Sequence, residues 1–162
     1  MRRKMTTALA MAVAVSLMVA GPVPSSAAAD TQYVRTTSGK VRCLVSGDGT
    51  GTGAKGPVVI CEASDPLSPP FDQWDNVGFL QAPLTSTGLH YHNAVVDSAG
   101  NFRFEDGGNI GAGRPDKDLI LDYGKTYRVK GWTVNASSDG TRFACDDTGH
   151  GMFVSIENVY SF

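Results

Sequence analysis

From Asp30 onward, no stretch of this chain keeps an apolar period of 3.6 residues for three turns. That absence points away from helical architecture, because a helix in a globular protein needs an apolar stripe to bury. The chain offers instead short β-branched and aromatic runs separated by turn residues, the pattern of an all-β fold. Strands are expected at YVRTT (33–37), KVRCLVS (40–46), PVVICEA (57–63) and GFLQAP (78–83). Others are expected at LHYHNAVVD (89–97), NFRFED (101–106), LILDY (119–123), TYRVKGWTVNA (126–136), TRFACD (141–146) and GMFVSI (151–156). The turns between them are DSAGN (97–101), SSDG (137–140) and DDTG (146–149), and the last four runs read as a meander. Glycine supplies 18 of the 133 residues from Asp30, about twice the usual share of roughly 7%. A small antiparallel β-sandwich or barrel follows, and the pattern leaves the two open.

The first 29 residues read as a cleaved signal peptide. Arg2, Arg3 and Lys4 form a basic head, Ala8 to Ala20 is an uncharged apolar run, and small residues close it at Ala27 and Ala29. The run is short of the roughly 20 residues of a membrane span and is closed by Pro22 and Pro24. Cleavage is expected before Asp30, leaving residues 30–162 as a single β domain, exported and without a membrane anchor. It would carry 11 Lys and Arg against 16 Asp and Glu, a net charge of −5. A protein so acidic, with its basic residues scattered, has no footprint for nucleic acid or anionic lipid. A monomer without a cofactor is expected.

An exported protein meets oxidising conditions, so its cysteines are expected to pair. Cys43 and Cys61 fall on successive strands and are expected to form a disulfide; Cys145 is left over. The connection between the first two contains Gly51-x-Gly53-x-x-Gly56, a formal dinucleotide fingerprint. Pro57 and a strand follow it where a helix would have to open, so it reads as a hairpin loop.

The segment CDDTGHGMFVS (145–155) crowds a thiol, two carboxylates and an imidazole around two glycines. If TRFAC and HGMFVS are hairpin arms, Cys145 faces His150, Phe143 faces Met152 and Thr141 faces Val154, all on one face. A thiol–imidazole pair of this kind could act as a nucleophile, with Asp146 or Asp147 orienting the ring. The alternative is that the polar residues only build a turn and cap the core. His90 and His92 share one side of an expected strand, and with His150 they could form a three-histidine metal site. The Pro-rich segment 64–76 is the one long irregular stretch. Its Phe71, Asp72, Gln73, Trp74 and Asp75 are candidate recognition residues, since an aromatic at a loop tip supplies contact area. No Gly-x-Ser-x-Gly elbow or phosphate loop occurs, and Asn135-Ala-Ser137 reads as a turn although it fits a glycosylation acceptor.

The blocks TTSGKVRC (36–43), VVICEAS (58–64), LDYGKTYRVKGW (121–132) and the closing TRFACDDTGHGMFVSIENVYSF (141–162) resemble a group of small secreted actinobacterial proteins of the mycobacterial type. They cover just over a third of the chain from Asp30, and the closing block is the most specific. The resemblance implies an exported cell-envelope or extracellular setting and assigns no activity. Members of that group carry a cysteine in the stretch matching Trp132 to Asn135 that bridges to the one matching Cys145; this chain has none there. The resemblance thus makes Cys145 the orphan of a lost bridge and supports the pairing of Cys43 with Cys61. The expected function is a non-enzymatic secreted β-domain that binds a protein or glycan. The alternative is a thiol-dependent hydrolase using Cys145 and His150.

Overall fold

The structure, a computed structural model, describes residues 30–50, 52–63, 79–106, 110 and 115–162. The leader and the segment holding Phe71, Trp74 and Asp75 lie outside the described residues. Strands β1 (Thr31–Thr36), β2 (Val41–Ser46), β3 (Val58–Ala63), β4 (Asn93–Asp97), β5 (Phe102–Glu105) and β6 (Leu119–Leu121) form a six-stranded sheet in the order β5-β4-β3-β2-β1-β6. Strands β7 (Thr126–Val129), β8 (Trp132–Ser137), β9 (Gly140–Cys145), β10 (Gly151–Val154) and β11 (Val159–Ser161) follow as a five-stranded meander. The two sheets pack face to face as an all-β sandwich.

Alternation decides which side chains meet between the sheets. Val41, Cys43 and Val45 of β2, Val59, Cys61 and Ala63 of β3, and Ala94 and Val96 of β4 point inward from the first sheet. Val134, Phe143, Met152 and Val154 answer from the second. Trp132 is fully buried and ties the layers together, its indole N–H donating to the Ser46 carbonyl at 3.3 Å. Cys43 and Cys61 stand directly opposite each other on β2 and β3 and form the expected disulfide. The glycine-rich connection between those strands joins two antiparallel arms and opens no helix.

The fold departs from the sequence reading in five places. LILDY does not begin the meander: β6 pairs with β1 in parallel, at the far edge of the first sheet. TYRVKGWTVNA is two strands, because Lys130 and Gly131 both take positive φ (51° and 79°) and turn the chain back in a two-residue hairpin. GFLQAP is not a strand. Phe79 starts a turn in which Ala82 N–H bonds the Phe79 carbonyl, and its ring is fully buried. The strand at LHYHNAVVD begins only at Asn93; His90 makes an isolated bridge to Leu84. Strand β11 was unforeseen, its three residues lying beyond the last expected run.

Much of the outward face of the six-stranded sheet is buried, although Arg103 and Ile120 near its edges stay exposed. The chain leaves β5 at one edge and reaches β6 at the other, and where it is described it touches the sheet's outer side chains. Asp118 accepts a two-pronged bond from Arg42, at 2.7 Å from Nε and 3.0 Å from Nη2, with both side chains almost wholly buried. The Ile110 N–H donates to Glu62 at 3.0 Å, and the Ile110 carbonyl accepts from the Tyr33 hydroxyl at 3.2 Å. The Tyr33 ring also lies 4.4 Å from the Arg42 guanidinium. Leu44, Val58 and Val95, which face the same way, are buried too.

Two outcomes are expected. Opening the Cys43–Cys61 bridge, whose partners are 18 residues apart, should cost about 3 kcal/mol of stability, read as a fall in the urea midpoint when Cys43 and Cys61 are both replaced by alanine. Burial pushes the Glu62 carboxyl from its ordinary 4.5 up to about 7, against the opposing pull of the Ile110 N–H and Arg42. Between those values the native state keeps a proton that the unfolded chain has lost, so stability falls as pH rises through that window. The loss should reach roughly 2–3 kcal/mol. Glu62→Gln should flatten this slope in denaturation series between pH 4.5 and 8; an unchanged slope would assign the dependence to other groups.

Candidate functional site

The hairpin register at the closing segment is the one the alternation predicts. Met152 pairs with Phe143 and Val154 with Thr141, while the Cys145 N–H donates to the His150 carbonyl at 2.8 Å. Neighbouring backbones do not make a reactive pair, however. Cys145 is 2% exposed and lies directly across from Trp132, inside the sandwich. His150 is exposed and rests against the β4–β5 turn, where a Cβ on Gly100 would stand 3.0 Å from the imidazole Cγ. No hydrogen bond among the described residues joins the thiol to the ring. Thr148 donates to the Ser98 carbonyl at 2.7 Å, so this polar bend docks on the neighbouring turn. Asp147 is exposed, and Asp146 is engaged by Thr133 and, at 2.9 Å, by Arg128.

The three histidines stay apart. His90 Nδ1 is 2.6 Å from the Ala82 carbonyl, and His92 Nδ1 is 3.8 Å from Asp106. No group of three His, Cys, Asp or Glu able to hold a metal occurs among the described residues. His90 and His92 do not lie on a strand, which removes the geometry that suggested a shared site. A shallow cleft of about 140 Å³ is lined by Thr36, Ser38, Tyr123, Ser137 and Ser155 among others. Several of its hydroxyls already serve their own turns: Thr36 bonds Val41 and Ser38, Ser137 bonds Gly140, and Ser155 bonds Asn158.

A different surface combines exposure with organised side chains. The outward face of the five-stranded sheet carries Thr126 (β7), Asn135 (β8), Arg142 (β9), Phe153 (β10) and Tyr160 (β11) in one transverse row. Each is directly opposite the next. Five strands at a spacing of about 4.8 Å make this row roughly 19 Å long. Thr126 donates to the Asn135 amide oxygen at 2.7 Å. Phe153 and Tyr160 stack with centroids 5.2 Å apart and planes 18° from parallel, and Tyr160 is 52% exposed. At the end of β11, Phe162 exchanges both backbone bonds with Gly151 and slides its ring beneath Arg142, whose guanidinium carbon lies 3.2 Å from the ring centroid.

Two glycines let these rings lie low. A Cβ on Gly140 would meet Phe153 Cζ at 2.3 Å, and one on Gly151 would collide with the Phe143 carbonyl oxygen and approach Phe162 Cζ to 2.9 Å. The sequence pattern does not announce this row, because its members are distant in the chain and Tyr160 lies beyond the last expected strand. The local signal was there: Phe153 sits between the inward Met152 and Val154, so its ring had to face out.

A thiol reagent added to the native protein should leave Cys145 unmodified, with one equivalent reacting after denaturation; rapid labelling of folded protein would return the thiol to consideration. Comparison of the chain with protein-family models, with curated proteins and with solved structures finds no match, so the character of this face is read from its own side chains.

Proposed function

We propose that the protein is a secreted, non-enzymatic β-domain that binds a glycan of the cell envelope or its surroundings on the outward face of the five-stranded sheet. One observation carries the reading: a stacked aromatic pair continues into a guanidinium, an amide and a hydroxyl along a single row, on a sheet face whose counterpart across the sandwich is largely buried. A sugar ring has apolar C–H faces and hydroxyls around its edge. Rings lying nearly flat on a sheet suit the faces, and the neighbouring polar groups suit the edge. A stable protein interface buries roughly 800 Å² on each partner around an apolar centre. One exposed and two half-buried rings among polar neighbours favour the smaller, flatter ligand.

The setting is part of the proposal. A buried disulfide is typical of proteins that mature in an oxidising compartment, and no helix among the described residues is long and apolar enough to cross a membrane. The leader read from residues 1–29 and the resemblance to small exported actinobacterial proteins agree with export.

The test is isothermal titration against a panel of soluble oligosaccharides, with affinity electrophoresis in the parent polysaccharides. Tyr160→Ala is expected to weaken binding roughly 30-fold, the usual scale for losing an exposed aromatic anchor, while the melting temperature holds within a degree or two. Retained affinity in both Tyr160→Ala and Phe153→Ala would place the ligand elsewhere on the molecule.

A further inference from the structure

Three arginines of the described residues sit against carboxylates. Arg42 is held by Asp118, Arg103 by Glu105 and Arg128 by Asp146. Arg142 is exposed, occupies the centre of the transverse row and has no carboxylate partner, although acidic residues outnumber basic ones in this chain. The Phe162 ring lies beneath its guanidinium. Stacking on an aromatic face holds the guanidinium plane while leaving its N–H edge free to donate. That edge is flanked by Asn135 on one side and Phe153 on the other.

Resting on the glycan reading above, we infer that this row recognises an acidic saccharide, with Arg142 taking the carboxylate of a uronic-acid unit in a two-pronged hydrogen bond and the Phe153–Tyr160 pair carrying an adjoining sugar ring. The planar fork of a guanidinium matches a carboxylate in shape. The charge count favours a carboxylate over a phosphate monoester: Arg128 is neutralised by Asp146, leaving one unopposed positive charge along the row for a group that carries a single negative one.

The experiment titrates the purified protein with a uronic-acid oligomer, a neutral oligosaccharide of the same length and backbone, and a phosphorylated counterpart. The acidic oligomer should bind at least tenfold more tightly than the neutral one, and the advantage should shrink as salt is raised from 50 to 500 mM, values chosen for the assay. Arg142→Gln should abolish the preference, bringing the affinities for the acidic and the neutral oligomer together, whereas Tyr160→Ala should weaken both ligands and keep their ratio. Neutral binding without an acidic advantage, or an advantage that survives Arg142→Gln, overturns the assignment of Arg142 and leaves the glycan reading standing. A stronger preference for the phosphorylated oligomer overturns the choice of carboxylate. Failure of all three to bind removes both readings together.

Discussion

The buried ion pair between Arg42 and Asp118 fastens the chain before β6 to the outward face of the first sheet. A charge moved out of water is tolerated only when its partner and hydrogen bonds replace the lost solvation. Here both ends of a two-pronged contact are enclosed, and Tyr33 closes one side of the guanidinium. Such a contact cannot be given up by halves, because either partner alone would be a buried, uncompensated charge. The segment leading to β6 is therefore held against the first sheet, and the parallel pairing of β6 with β1 follows from where that segment ends. The central part of that outer face is thereby closed to solvent, whereas the outer face of the second sheet has no chain over it among the described residues.

The two outer faces use similar residue types in opposite ways. Across the six-stranded sheet, the successive partners Arg35, Arg42, Glu62 and Asn93 form a polar row that is largely buried and serves to fasten the chain to itself. Across the five-stranded sheet, Asn135, Arg142, Phe153 and Tyr160 form a row with no chain over it among the described residues. Packing has already been satisfied on its inner side by Trp132, Val134, Phe143 and Met152. Rigid, aligned side chains left over after a core is complete are well suited to recognition, since little order remains to be gained on binding.

What could be read in advance was local. The runs KVRCLVS and PVVICEA put Cys43 and Cys61 on successive strands, and the turn at DDTG set the pairing of Phe143 with Met152. Non-local relations escaped the reading. Nothing in LILDY announces a parallel partner some 85 residues earlier, nor does TYRVKGW declare that a lysine will take a left-handed conformation. The same limit governed the site. Histidines and cysteine drew attention because they cluster in sequence, yet folding sends Cys145 inward and gives each histidine its own neighbour. Phe153, Tyr160 and Arg142 become a unit only when three strands align, and register, not proximity in the chain, brings them together.

Among the described strands, the chain passes from the first layer to the second once, at Asp122–Lys125. Each layer is thus the product of one continuous portion of the polypeptide, and the exposed row belongs wholly to residues 126–162. Drift in that portion can alter every outward residue of the row while the disulfide, the ion pair and the crossing segment stay untouched. A scaffold divided in this way permits the outward residues of one half to vary while the fastenings of the other half stay fixed.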